Sequence, residues 1–149
     1  MQKKSLYDKL FEYGCKLLKY RDRSVYEIKE RLKTKVSSEQ DVDKVVKKLI
    51  DLGYLNEKRF VENYINKWLA KGKSLNLIIY ELREKYKVNN DIINRLDIES
   101  LKSQQIKNVL QIVKKKYNKI DKTKIYNFLN RRGFSEEEIE TVLNKLEEK

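Results

Sequence analysis

A chain of 149 residues, 39% charged and 40% hydrophobic with net charge +12, is long enough to bury a core and too regularly apolar to be disordered. No proline and only four glycines leave few helix breakers, so an all-α protein is expected. The absence of histidine, with Cys15 the single cysteine, excludes zinc sites and Ser-His or Cys-His dyads.

The glycines stand far apart, at 14, 53, 72 and 133, so no glycine-rich phosphate loop occurs. The expectation is therefore a protein that is not an enzyme, with no catalytic residues, no metal and no cofactor. The basic excess is spread over residues 1–55, 56–98 and 99–149 instead of forming a tail. A polyanionic or acidic partner is its usual counterpart. No apolar run approaches the roughly 18 residues that suggest a bilayer span, and the N-terminal segment lacks the apolar core of a signal peptide. A cytoplasmic protein without a membrane partner is expected, and Cys15, flanked by Leu17 and Leu18, is expected to be a core thiol.

In chain order, residues 5–20 form a long amphipathic stretch, followed by a short helix capped by Ser24 with Ile28 and Leu32 on its apolar face. A basic turn "KTKV" and a polar cluster "SSEQ" then precede the stripe Val42, Val45, Val46, Leu49. The pattern restarts with a long stretch over 56–71 carrying Val61, Ile65, Trp68 and Leu69, a short helix after Ser74 with Ile78 and Leu82, the turn "REKYKV" and the cluster "NND". It restarts again over 100–117 with Ile106, Val109, Leu110 and Val113. A helix with Thr123 as its expected cap then carries Ile125 and Leu129, before "NRRGF", "SEEE" and the stripe Ile139, Val142, Leu143, Leu146.

Self-similarity at about fifty residues implies three repeats of three helices, 5–54, 55–98 and 99–147. Short helices are marginal alone, so neighbouring repeats must bury one another's stripes in an elongated, slightly curved array. Tyr7, Phe11, Phe60, Tyr64 and Trp68 fall at helical spacing and read as packing residues, with base-stacking platforms as the alternative.

Two junctions share one design. Leu49 to Gly53 to Tyr54 and Leu129 to Gly133 to Phe134 are Schellman patterns, in which glycine takes the left-handed position and the next residue packs back on the leucine. Ser135 with Glu138 makes a capping box and Phe134 with Ile139 a hydrophobic staple; Asn56 caps the next helix with Leu55 and Phe60 as its staple. Glu136, Glu137 and Glu138 suit the positive end of a helix dipole. The run "LNRRGFSEEEIE" is thus a helix stop and a helix start, not a local phosphate loop. Arg131 and Arg132 remain. Their counterparts Lys33 and Lys35, and Arg83, Lys85 and Lys87, lead to the expectation that repeated basic turns align along one edge. Lys71, Lys73 and the triplet Lys114, Lys115, Lys116 join the candidate contact set.

The runs "LLKYRDRSVYEIKERL" (17–32), "VVKKLIDLGYLNEKRFVENYINKWLAKGKSLNLIIYELREK" (45–85) and "KIYNFLNRRGFSEEEIETVL" (124–143) resemble the RecX family of recombinase regulators. The resemblance covers most of the chain, in order. It implies three tandem three-helix units and a modulator, usually an inhibitor, of the RecA recombinase. Such a modulator lodges in the groove of the RecA filament on single-stranded DNA; weak binding to free DNA and a monomeric state are expected with it. Arg21 and Arg23, in the Arg-x-Arg-Ser helix start, are expected to share the contact surface. Two departures are local: Asn56-Glu57 stands where the family usually has an acidic pair after Gly-Tyr-Leu, and "KGKS" lacks a nearby proline.

The alternative from another class is a helix-turn-helix protein that reads DNA sequence. Its recognition helix would offer N-terminal residues to bases among phosphates. Glu136, Glu137 and Glu138 would repel that backbone, as would Glu39, Asp41 and Asp43 in the first repeat. Only the helix opening "NNDIINR" is suited to reading bases.

Overall fold

The computed structural model describes residues 4–148. Among them are nine helices and no strand: α1 Leu6–Tyr20, α2 Val25–Lys33, α3 Glu39–Asp51, α4 Glu57–Ala70, α5 Leu75–Glu84, α6 Asn90–Asn94, α7 Ile98–Lys116, α8 Lys122–Arg131 and α9 Glu136–Glu147. The fold is all-α and built of tandem three-helix repeats. No helix among the described residues is long and apolar enough to cross a membrane.

Polar caps punctuate this proline-free chain. Side chains of Ser5, Ser24, Ser38, Asn56, Ser74, Asp97, Asp121 and Ser135 each accept an N–H of the first turn that follows, satisfying donors the helix itself cannot. Ser24 with Glu27 and Ser135 with Glu138 form complete capping boxes. The cap of α8 is a correction: Asp121 accepts from the Lys124 N–H at 3.1 Å, while Thr123 lies inside the helix. Apolar spacing explains it, because Ile28 and Leu32 follow Ser24 by the same offsets as Ile125 and Leu129 follow Asp121.

The chain divides into two compact units, Met1–Glu62 with Leu82–Ile92 and Asn63–Glu81 with Ile93–Lys149. In the first, Leu10, Leu17, Ile28, Leu32, Val42, Val45, Val46, Leu49 and Leu55 form one buried cluster. Each such side chain contributes about 1.5–3 kcal/mol relative to exposure. Cys15, Tyr7 and Phe11 pack against this cluster, and Phe60 meets Tyr86 edge-on at 5.2 Å. Burial raises the Cys15 thiol above its ordinary pKa. Glu57, at the start of α4, accepts the Val25 N–H at 2.8 Å and the Asn89 N–H at 3.3 Å, so one carboxylate serves the starts of α2 and α6.

In the second unit, Val109, Val113, Ile125, Phe128, Leu129, Phe134, Ile139 and Val142 form the buried cluster. Gln105, only 2% exposed, accepts the Leu75 N–H and donates to Glu138 at 3.2 Å. It thereby satisfies the start of α5 and ties it to the capping box of α9.

Both expected Schellman turns are present. Tyr54 N–H donates to the Leu49 carbonyl at 3.0 Å and Phe134 N–H to that of Leu129 at 3.2 Å, with Gly53 and Gly133 at φ +78° and +92°. Their apolar closures differ. Phe134 is buried, but Tyr54 is 50% exposed and Leu55 packs inward in its place. A third turn of this design, Gly72 at φ +87° with Lys73 N–H donating to the Trp68 carbonyl, ends α4.

Candidate cationic cleft

Two of these glycine turns, at the end of α4 and the end of α8, lock together within the second unit. Ser74 N–H donates to the Arg132 carbonyl at 2.9 Å, and the Arg132 guanidinium donates back to the Lys71 carbonyl. The approach is close enough that a Cβ on Gly133 would lie 2.7 Å from the Ser74 hydroxyl. The sequence separation is 61 residues. The consequence is that "KGKS" and "NRRGF" present their cations together.

The cleft so formed has a volume of about 430 Å³ and is lined by Trp68, Lys73, Leu77, Lys116, Phe128, Arg131 and Arg132. Its rings carry cations on their faces. Lys73, Lys71 and Lys67 ammoniums lie 4.0, 5.0 and 5.3 Å from the Trp68 ring centre. Over Phe128 stand the Arg132 guanidinium at 4.7 Å and the Lys116 ammonium at 5.0 Å. Each such contact contributes about 0.5–1 kcal/mol where exposed and more where water is displaced. Glu81 holds Lys73 from one side at 2.6 Å and accepts from the Tyr64 hydroxyl at 3.0 Å. Like charges gathered in a partly desolvated cleft repel one another, so an entering anion is stabilised by all of them.

The other candidate cations are not among the residues that line this cleft. Arg21 grips Glu27 through both terminal guanidinium nitrogens, at 2.5 and 3.2 Å, and that hydrogen bonding raises its pKa. Arg23 donates to the Leu17 carbonyl at 3.2 Å and faces Glu27 at 3.6 Å; burial, then the neighbouring Arg21 charge, push its pKa down. These two guanidiniums hold the α1–α2 corner together. Lys33 pairs with Glu30 at 3.4 Å, Lys35 lies 4.9 Å from the Tyr13 ring centre and Lys85 5.3 Å from that of Tyr86, while Arg83 is exposed. The lysine triplet diverges. Lys116 lines the cleft, whereas Lys114 lines a separate hollow with Tyr117 and Lys119.

Sequence reasoning named Lys71, Lys73, Lys116, Arg131 and Arg132 but not their convergence. Spacing reads Trp68 as a packing residue or a stacking platform, and it singles out neither Lys67 and Phe128 nor the pairing of Glu81 with Lys73. The signal available was the spacing of Lys71 three residues after Trp68, which places a cation beside a ring on one helix face.

Residues 6–49 match the family described as RecX, first three-helix domain. Regulatory protein RecX of Legionella pneumophila strain Corby is 30% identical over 144 residues, covering 93% of this chain and 95% of that protein. The chain belongs to the RecX family. Regulatory protein RecX of Haemophilus influenzae strain PittGG is 28% identical over 141 residues, covering 91% and 93%. The crystal structure of RecX from Lactobacillus salivarius superposes with a TM-score of 0.76 at 23% identity, over 94% of this chain and 96% of that one. The RecX likeness thus extends along nearly the full chain, whereas the first-domain match ends at Leu49, before the residues of the cleft.

Proposed function

We propose that this chain regulates the RecA recombinase, by inhibition, binding along the groove of the RecA filament on single-stranded DNA and so modulating recombination and DNA repair in the cytoplasm. The observation that carries the reading is the match, over more than nine-tenths of both chains, to proteins named Regulatory protein RecX. The cationic cleft supports it with a surface suited to a DNA-containing assembly. A monomer with several basic turns gains avidity when it touches repeated protomers at once.

Two assays test this. RecA captured with single-stranded DNA should retain the protein, and RecA without DNA should retain far less. Increasing protein should also lower RecA strand exchange and ATP hydrolysis. Equal capture with and without DNA, or unchanged strand exchange at saturation, would sink the reading. Charge reversal of Arg83 and Lys85 tests whether the α5–α6 turn shares the surface, through the salt dependence of filament binding.

The helix-turn-helix alternative loses its best element. The helix suited to reading bases, α6, has only five residues, little more than one turn and too short to present side chains along a major groove. In α9, Glu136 accepts from the Tyr126 hydroxyl and Glu138 closes the capping box, so its acids are fixed at the helix start.

A further inference from the structure

The cleft's chemistry says more about its occupant than its net charge does. Ammoniums and a guanidinium stand over its aromatic rings. These cations compete with a stacking base for the rings, and the convergence of Lys73, Lys116, Arg131 and Arg132 on one hollow favours an anion over an uncharged occupant. What the cleft offers is a set of cations pre-oriented on rigid rings, together with Arg131, which is exposed and steadied by its own bond to the Asn127 carbonyl. Pre-orientation lowers the entropy lost when charged side chains engage an anion.

We infer that this cleft binds the phosphodiester backbone of single-stranded nucleic acid without reading its bases, Lys71, Lys73, Lys116, Arg131 and Arg132 taking adjacent phosphates. A volume of about 430 Å³ admits a short stretch of one flexible strand. A duplex is stiff over roughly 150 base pairs and cannot fold one strand into such a hollow without deformation. The inference rests on the proposed function and sharpens it, assigning the DNA contact within the filament to this cleft.

The chain's single tryptophan is Trp68, so intrinsic fluorescence reports from inside the cleft. Phosphates that draw Lys71 and Lys73 off the ring should change its emission. The probes are a short oligothymidylate, an abasic deoxyribose-phosphate oligomer of equal length and a polyglutamate of equal charge. The expected result is a saturable change with both phosphate polymers at similar affinity, and with polyglutamate only at far higher concentration. Affinity should fall steeply with salt, by a log–log slope of about 0.7 per phosphate engaged.

Lys116→Gln with Arg131→Gln, both exposed positions, should weaken binding about tenfold and reduce that slope by about 1.4. Lys114→Gln with Lys115→Gln, on the same helix, should weaken it by less than about threefold, in keeping with the loss of non-specific charge alone. Arg132 is left intact because it also holds the Lys71 carbonyl. The inference is overturned by a silent Trp68, by oligothymidylate binding far more tightly than the abasic polymer, by polyglutamate matching the phosphate polymers, or by an unaffected K116Q/R131Q variant.

RecA capture separates the two ideas. An unaffected K116Q/R131Q variant in DNA binding, with filament capture intact, removes the cleft assignment and leaves the function. A Trp68 response as expected with no capture on RecA filaments does the reverse.

Discussion

Asp121 and Thr123 show how little separates a cap from a neighbour. Both are polar residues at the same helix start, yet the Asp121 carboxylate accepts the Lys124 N–H and Thr123 does not cap. Asp121→Ala should therefore cost about 1 kcal/mol of unfolding free energy in urea titration, and Thr123→Ala no more than about 0.5. The reverse order would mean that Thr123, and not Asp121, caps α8 in solution. Cys15 offers a chemical test. Burial raises its pKa, so at neutral pH it holds less thiolate than free cysteine. The thiolate is the reacting species, so iodoacetamide should label native Cys15 several-fold more slowly than the same residue in denaturant. Labelling at equal rates would show the thiol to be open to solvent.

Helix junctions were legible where local chemistry sets them. Leu129 and Gly133, with Ser135 and Glu138, carry a stop and a start within ten residues, and the backbone follows that pattern. Long-range partners leave no such mark. Nothing periodic announces that Gln105 will satisfy the Leu75 N–H thirty residues away, or that Leu55 will take the inward place expected of Tyr54. Gly53 and Gly133 separate local from distant demands. Both sit at positive φ, but a Cβ on Gly53 meets open space, while one on Gly133 meets Ser74 and Leu77 at 2.7 and 2.9 Å. Gly53→Ala should cost about 1 kcal/mol, for the left-handed backbone alone. Gly133→Ala should cost about 2–3 kcal/mol, because the two turns must also part. Urea titration of the pair would show it, and equal costs would mean that the turns are not in close contact.

The +12 charge pointed to a polyanion but not to a place, because its carriers play different parts. Arg21, Arg23 and Arg59 are held in ion pairs with Glu27 and Asp22 within the first unit. The cations of the cleft converge in the second, where a 61-residue loop in sequence closes to a hydrogen bond in space. Composition cannot register that closure, which is why Arg131 and Arg132 were identifiable and their surroundings were not. A ligand that engages only the folded cleft must also stabilise the fold, by RT ln(1 + [L]/Kd). At one hundred times its dissociation constant, a single-stranded oligonucleotide should add about 2.7 kcal/mol, which for a chain of this length raises Tm by roughly 5–10 °C. At about 1 M salt, where charges are screened beyond roughly 3 Å, that rise should vanish. The K116Q/R131Q variant should lose most of the rise at low salt, while its own unliganded Tm falls by no more than about 4 °C, for the loss of the exposed Lys116–Phe128 contact. Calorimetry of the four combinations checks this: a rise that survives high salt, or is equal in the variant, would place the stabilising contact outside the cleft.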